Sequence, residues 1–147
     1  MKVVVDTCVF NWIVEGRYSA ESLPQNDGLI ATHIQRDEIA KTANMRKRAA
    51  LEKLFGESVP DLHPTESTVV GIAVLGACKL SNGELLGRIK RALDGCSKKA
   101  NNIYDALIAE VALVNGFGIV TADSCLAKVM QDEFEYRGLH YIGSKKL

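Results

Sequence analysis

The sequence predicts an α/β protein with a parallel sheet that helices cover on both faces. Short apolar runs rich in β-branched residues alternate with longer helix-compatible segments along the 147-residue chain, which is the pattern of strands buried between helices. The connections between these runs are a dozen residues or longer, as parallel pairing requires. Acidic residues follow two of the runs, and ligands of parallel sheets bind beyond the carboxyl ends of the strands.

The chain is predicted to begin with a strand and a helix. Residues 2–5 form a β-branched apolar run that ends at Asp6, which is typical of a strand buried on both faces. Asp6 or Thr7 is expected to cap the helix that follows, and Gly16 is expected to end it. Residues 29–31 form a second apolar run after a polar loop, so a second strand is predicted there.

The next predicted helix carries an acid on a partly apolar face. Thr32 and Gln35 fit a capping box, in which each side chain accepts a hydrogen bond from the backbone N–H of the other residue. Glu38 then falls on the partly apolar stripe of the helix. The alternative is that Glu38 is a surface acid paired with Lys41 or Thr42.

Further helices are predicted in the middle of the chain. Residues 46–55 are helix-compatible and are followed by Gly56, a residue type that often ends a helix. Residues 68–80 and 84–93 are predicted as two more helical segments, separated by a Ser-Asn-Gly turn.

A buried helix with an acid in its first turn is predicted next. Residues 103–114 are apolar almost all the way round, Asn102 is the expected N-cap, and Gly116 lies where a helix stop is expected. Asp105 lies in the first turn, although a carboxylate is rarely buried unless a partner or a metal compensates its charge. The alternative is that Asp105 is only the acid of a helix cap, three residues after Asn102.

A strand and another acid follow this helix. Residues 119–121 form an apolar run, and Asp123 comes just before an amphipathic helix predicted at residues 126–134. Residues 139–142 are predicted as a last strand. The alternative for Asp123 or Ser124 is an ordinary N-cap of the amphipathic helix.

Four acids are therefore expected at one edge of the sheet: Asp6, Glu38, Asp105 and Asp123. Clustered carboxylates repel one another and are driven toward their protonated forms, and a divalent cation removes this penalty. Oxygen ligands favour Mg²⁺ or Mn²⁺ over zinc. Such a site activates water for attack on a phosphodiester and needs no side-chain nucleophile. The four acids are thus predicted as metal ligands and catalytic residues.

These residues resemble the motifs of the PIN-domain nucleases. The resemblance lies in the Asp6-Thr7 turn, in Glu38 within residues 35–39, and in residues 104–109 followed by residues 119–123. The chain length is similar to that of the VapC toxins of type II toxin-antitoxin pairs. The resemblance implies a single PIN-like domain over residues 1–147, with a three-layer α/β/α fold.

The same resemblance implies the chemistry and the partners. It implies Mg²⁺ or Mn²⁺ as cofactor, single-stranded or structured RNA as substrate, and the same four acids as the metal site. It also implies a hydroxyl residue near the metals, a role open to Thr7, Thr121 or Ser124. An antitoxin protein and a second copy of the chain in a homodimer are the expected partners.

The composition is that of an ordinary soluble globular protein. The chain is 47% hydrophobic and 24% charged, with a formal net charge of zero, and no apolar stretch reaches the roughly 20 residues of a membrane span. We therefore expect a soluble cytoplasmic protein without membrane contact. Two segments, 36–53 and 79–99, nevertheless hold six basic residues each, against three and two acidic residues. Both segments are expected to supply phosphate contacts to RNA, and the alternative for each is a solvated helix face. The candidate RNA contacts named individually lie in the first segment: Lys41, Arg46, Lys47 and Arg48.

The cysteine spacing disfavours a zinc site, and other residues disfavour three rival functions. The four cysteines form no C-x-x-C pair, so they are predicted to be reduced core residues without zinc. An aspartyl phosphatase is disfavoured because Cys8, rather than a second acid, stands two residues after Asp6. The residues of a receiver domain are not found either. The remaining rival is a non-catalytic PIN-like module that binds RNA or protein, and the presence of all four acids argues against it.

Overall fold

A four-stranded parallel sheet forms the centre of the protein. The computed structural model describes residues 1–24, 28–72, 76–79 and 81–143. The strands are β1 (Val3–Val5), β2 (Leu29–Ile30), β3 (Gly118–Thr121) and β4 (Leu139–Tyr141). Their order across the sheet is β2-β1-β3-β4, and every neighbouring pair is parallel. The predicted α/β class with a parallel sheet is confirmed.

Six α-helices occur in the described ranges. They are α1 (Thr7–Val14), α2 (His33–Ala40), α3 (Met45–Ser58), α4 (Glu84–Cys96), α5 (Asn102–Asn115) and α6 (Ser124–Asp132). A short 3-10 turn at Ala20–Ser22 follows α1. None of these helices combines the length and the apolar character needed to cross a membrane.

The helices form a layer on each face of the sheet because successive strand residues point to opposite faces. Val3 and Val5 pack with residues of α1 and α3, such as Phe10 and Leu51, in one apolar core. Val4 packs in a second core with residues of α4, α5 and α6. The predicted three-layer α/β/α arrangement is confirmed.

Helix boundaries follow the capping residues, and several differ from the prediction: α6, for example, spans Ser124–Asp132 rather than residues 126–134. The capping box of Thr32 and Gln35 is present at the start of α2. Helix α5 begins one residue earlier than predicted, with Asn101 rather than Asn102 as its N-cap. The prediction that Gly56 ends α3 is wrong: Gly56 does not adopt a positive φ, and the helix continues to Ser58.

The predicted helix at residues 68–80 is wrong for the residues that the structure describes. Gly71 and Gly76 have φ values of +86° and +78°, whereas an α-helix needs φ near −63°. Thr65 and Cys78 instead form an isolated parallel bridge between the two arms of this loop. Residues 73–75 and 80 of the predicted helix lie outside the described residues.

The prediction that all four cysteines are reduced is also wrong. Cys96 and Cys125 form a disulfide, with their Cα atoms 5.8 Å apart. The bond joins the end of α4 to the first turn of α6. Cys8 and Cys78 are free. Structural disulfides are typical of oxidising compartments, so the disulfide does not support the expected cytoplasmic location.

Candidate active site

The four predicted acids are held near the carboxyl ends of β1 and β3. Asp6 directly follows β1 and is the N-cap of α1, and Asp123 follows β3 and is the N-cap of α6. The two strands are neighbours, and the Asp6 backbone N–H donates to the Val120 carbonyl at 3.0 Å. Asp105 lies in the first turn of α5, which leads back into β3.

Asp6 is buried and is fixed by two side-chain hydrogen bonds. The Thr121 hydroxyl donates to Asp6 Oδ2 at 2.7 Å, and the Cys8 thiol donates to the same oxygen at 3.3 Å. The backbone N–H of Asp123 donates to the Thr121 hydroxyl at 3.0 Å. Thr121 therefore touches both strand-end acids. Cys8 was not predicted as a site residue, because the sequence gives no sign of which way its thiol points.

Glu38 reaches this group from α2. The Thr7 hydroxyl donates to Glu38 Oε1 at 3.0 Å, so the first turn of α1 is linked to the second turn of α2. The alternative in which Glu38 is a surface acid paired with Thr42 is not what the structure has, because Glu38 is half-buried and its hydrogen bond is with Thr7. Of the three predicted hydroxyl residues, Thr7 and Thr121 thus contact acids, whereas Ser124 is exposed and has no hydrogen bond to an acid among the described residues.

Asp123 has the structural role that the alternative reading assigned to it. Its Oδ1 accepts a hydrogen bond of 3.0 Å from the Leu126 backbone N–H, which caps α6. Its other oxygen, Oδ2, lies 3.9 Å from Lys99 Nζ. A cap needs only one carboxylate oxygen, so this role leaves Oδ2 able to act as a ligand.

Asp105 does not fit a capping role. It is the fourth residue of α5, one position beyond the place where a capping-box acid stands. The residue is 8% exposed, and its carboxyl has no hydrogen-bond partner among the described residues, although its oxygens are not among the fully enclosed atoms there. A buried carboxyl without a hydrogen-bond partner costs free energy, so Asp105 is expected to lower the stability of the fold in the absence of a bound cation.

Mutual repulsion among the acids is visible in their pKa values. Burial raises the pKa of Asp105 to about 8, with further increases from the charges of Asp6, Asp123 and Glu38. Burial raises the pKa of Glu38 to about 7, although the Thr7 hydrogen bond opposes the change. Burial also raises the pKa of Asp6, against the hydrogen bonds from Thr121 and Cys8. The acids therefore lie within electrostatic reach of one another.

The donor set suits a hard divalent cation, but the side chains do not form a ready coordination shell. The candidate ligands are carboxylate oxygens, the donors that Mg²⁺ and Mn²⁺ prefer. In the part of the chain that the structure describes, no three acid, histidine or cysteine side chains are grouped closely enough to hold a metal ion. Binding would therefore require the carboxylates to approach one another more closely than they do here.

Two lysines lie close to the acids. Lys99 is 3.9 Å from Asp123 and was not predicted as a site residue, although it belongs to the second basic segment. Lys41 lines a cavity together with Glu38, and its ammonium is 5.7 Å from the ring centre of Tyr104. Lys41 thus lies near Glu38, as in the alternative that paired the two residues, and its charge opposes the rise in the pKa of Glu38.

The three predicted cations of α3 differ in their surroundings. Lys47 forms a 2.8 Å ion pair with Glu15 at the end of α1, which neutralises its charge. Arg48 donates to the Thr42 carbonyl at 3.5 Å. Arg46 is exposed and has no ion-pair partner within the described ranges. Of the three, Arg46 is the most available to an anionic ligand.

The layers and the strand order define a three-layer α/β/α fold with a parallel central sheet, and the predicted acids lie at its carboxyl edge. A solved structure with this fold is titled as the crystal structure of VapBC2 from Rickettsia felis bound to a DNA fragment from their promoter. The similarity has a TM-score of 0.54 and 14% sequence identity, and it covers 96% of this chain and 98% of the solved chain. At this identity the similarity establishes the fold. No protein-family model matches the sequence, and no curated protein sequence matches it.

Proposed function

We propose that this protein is a Mg²⁺- or Mn²⁺-dependent endoribonuclease. The observation that carries the proposal is the Asp105 carboxyl, which is buried, has no hydrogen-bond partner among the described residues and is repelled by three other acids. Folding alone would favour an uncharged residue at this position. A cation-binding role explains why a carboxyl stands here.

The four acids and their supporting hydroxyls have separate tasks in this proposal. Asp6, Glu38, Asp105 and Asp123 would hold the cation, and each would act as an ionised ligand. When bound, the cation supplies Lewis-acid stabilisation of the phosphodiester oxygens and makes water more acidic. Thr121 keeps Asp6 oriented through its 2.7 Å hydrogen bond, as the partners of metal ligands generally do.

Thr7 and Lys99 complete the proposed site. The Thr7 hydroxyl holds one Glu38 oxygen and leaves Oε2 free of this contact. Lys99 lies beside Asp123 and adds positive charge at the edge where a phosphodiester would approach. RNA is proposed as the substrate because the motifs resemble those of the PIN-domain nucleases and because exposed cations lie on α2 and α3.

We further propose that the protein is the toxin of a type II toxin-antitoxin pair. A similar solved structure is that of VapBC2 from Rickettsia felis bound to a DNA fragment from their promoter, and this similarity, together with the resemblance of the motifs to the VapC toxins, supports an antitoxin as partner of this chain. A homodimer remains the expected assembly, to be measured by light scattering after gel filtration. The neighbouring open reading frame should encode a small protein with a DNA-binding half, and co-expression with it should abolish the ribonuclease activity.

The test of the nuclease is an RNA cleavage assay with purified protein. Cleavage should require Mg²⁺ or Mn²⁺, stop in EDTA and return when metal is added. Asp105→Asn should be inactive, and Asp132→Asn, the same change on the exposed end of α6, should cleave like the wild type. Undiminished cleavage in EDTA, with metal verified absent, would overturn the mechanism. RNA binding with no cleavage under any metal condition would favour the non-catalytic module.

A further inference from the structure

A small cavity adjoins the acid cluster on the side of Glu38. Its volume is about 200 Å³, smaller than the roughly 300–1,000 Å³ of pockets for drug-sized ligands. It therefore admits one small planar group rather than a whole nucleotide. Its lining comes from α2, the first turn of α5 and the loop at residues 71–72: Ile34, Asp37, Glu38, Lys41, Ile72 and Tyr104. Because Glu38 is shared, a group in this cavity would lie beside the proposed metal site.

The walls of the cavity match a flat aromatic ligand. Tyr104 is half-buried, next to Asp105 in the chain, and offers an aromatic ring. Ile34 and Ile72 add apolar surface. The Lys41 ammonium lies over the Tyr104 ring, 5.7 Å from its centre, in a cation–π contact, and a base stacked on this face would displace the ammonium toward the edge of the base. None of the roles assigned above uses Tyr104 or Ile72.

We propose that this cavity, the Tyr104 pocket, binds one unpaired nucleobase of the RNA, next to the phosphodiester that is cut. The inference rests on the proposed ribonuclease function and adds a subsite to it. Proteins bind single-stranded RNA by stacking splayed bases on aromatic side chains and by contacting their polar edges. A base held by Tyr104 would fix the register of the chain, so that its adjoining phosphate lies at the acids.

The polar groups at the pocket give it a preference among bases. Asp37 Oδ1 accepts a 3.1 Å hydrogen bond from Arg36 Nε, and Oδ2 lies 3.3 Å from His33 Nδ1. Each oxygen retains a second lone pair that can accept an amino group of a base. The Lys41 ammonium is a donor that suits a carbonyl of the base. Guanine and cytosine carry both an amino group and a carbonyl, whereas uracil lacks the amino group and adenine lacks the carbonyl.

The experiment measures RNA binding in EDTA, so that it does not depend on cleavage. Five-nucleotide RNAs differ only at the central position, which is guanine, cytosine, adenine, uracil or abasic, and affinity is measured by fluorescence anisotropy. Wild type should bind the guanine and cytosine RNAs at least fivefold more tightly than the others. Tyr104→Ala should lose about 5- to 140-fold in affinity for them, the range that corresponds to removal of one base–aromatic stack.

Matched variants separate stacking from a folding defect. Tyr104→Phe should keep the wild-type affinity within about twofold, because only the ring is needed. Asp37→Asn should reduce the preference for guanine and cytosine. Phe134→Ala serves as the control because Phe134 also lies under a cation, with Arg88 4.5 Å from its ring centre, but follows the C-terminal end of α6. This variant should bind RNA like the wild type. Circular dichroism and melting curves should confirm that each variant is folded.

The outcomes distinguish this inference from the proposed function. If Tyr104→Ala binds every RNA as tightly as the wild type does, or keeps its base preference, the Tyr104 pocket is not a base site. If the wild type discriminates bases as expected but never cleaves RNA with added metal, the pocket stands and the nuclease proposal falls. If Tyr104→Ala weakens the binding of the abasic RNA as much as the binding of the guanine RNA, the lost affinity does not come from base stacking and the inference is overturned.

Discussion

The Thr121 hydroxyl donates a 2.7 Å hydrogen bond to Asp6 Oδ2 and so links the ends of two neighbouring strands. The same hydroxyl accepts the backbone N–H of Asp123 at 3.0 Å. Thr121 is fully buried. A single side chain therefore sets the positions of two of the four acids, and its loss should affect both stability and chemistry.

Thr121→Val should destabilise the protein and impair cleavage. Valine keeps the shape but removes both hydrogen bonds, and leaving buried polar groups with fewer partners costs about 1–3 kcal/mol. Loss of a group that orients a metal ligand costs about 10- to 100-fold in activity or metal affinity. Urea denaturation and cleavage rates measure the two effects. Thr121→Ser retains the hydroxyl and is the control. If Thr121→Val cleaves RNA at the wild-type rate, Thr121 has no role in the site.

The disulfide should contribute substantially to stability. Cys96 and Cys125 are 29 residues apart in sequence. A cross-link that closes a loop of this length lowers the entropy of the unfolded chain and so stabilises the folded protein by about 3.5 kcal/mol. Reduction with dithiothreitol, or Cys125→Ser, should lower the free energy of unfolding by about that amount. Cys78→Ser, at a free cysteine, should respond to reductant like the wild type. Equal stability of oxidised and reduced protein would contradict the prediction.

Arg46 should carry more of the salt dependence of RNA binding than Lys47. Lys47 is neutralised by Glu15 at 2.8 Å, whereas Arg46 is exposed without an ion pair within the described ranges. Arg46→Gln should reduce the slope of log affinity against log salt concentration by about 1, the value of one phosphate contact. Lys47→Gln should change it less. If replacing Arg46, Lys47 and Arg48 together leaves low-salt affinity unchanged, α3 presents a solvated face.

The positions of Asp6 and Asp123 were predictable because they follow from the order of the strands. In a parallel sheet, residues that follow neighbouring strands meet at one edge, and this places Asp6 and Asp123 together before any side-chain detail is known. The alternation of Val3, Val4 and Val5 between the two cores likewise follows from strand geometry. These predictions required only the strand and helix pattern.

The predictions that were wrong or incomplete concern residues whose conformation depends on tertiary contacts rather than on the local sequence pattern. Residues 68–80 are apolar enough for a helix, but Gly71 and Gly76 adopt left-handed conformations and form a loop. The disulfide joins two helices distant in sequence, so spacing rules based on C-x-x-C pairs could not find it. Lys99 reaches Asp123 through the turn that joins α4 to α5, and the sequence alone does not fix the path of that turn.

The pH dependence of stability should separate a site acid from a helix cap. The folded-state pKa of Asp105 is raised to about 8, against about 3.9 for an unfolded aspartate. Between these values the folded protein keeps a proton that the unfolded chain has lost, so the free energy of unfolding should fall as pH rises from about 4 to about 8 and then level off. This contribution is fully present below pH ~4 and is lost at pH ~8.

Asp105→Asn removes that contribution because asparagine does not titrate. In EDTA its stability should decline less than that of the wild type between pH 5 and pH 8, and at pH 8 it should equal or exceed the wild type. Added Mn²⁺ should raise the melting temperature of the wild type by mass action on the folded state and raise that of the variant much less. The measurements are the melting temperatures of both proteins at the two pH values, with and without Mn²⁺, together with their rates of RNA cleavage. A variant that is less stable at pH 8, cleaves RNA fully and responds to Mn²⁺ like the wild type would identify Asp105 as a structural acid and exclude it from the site.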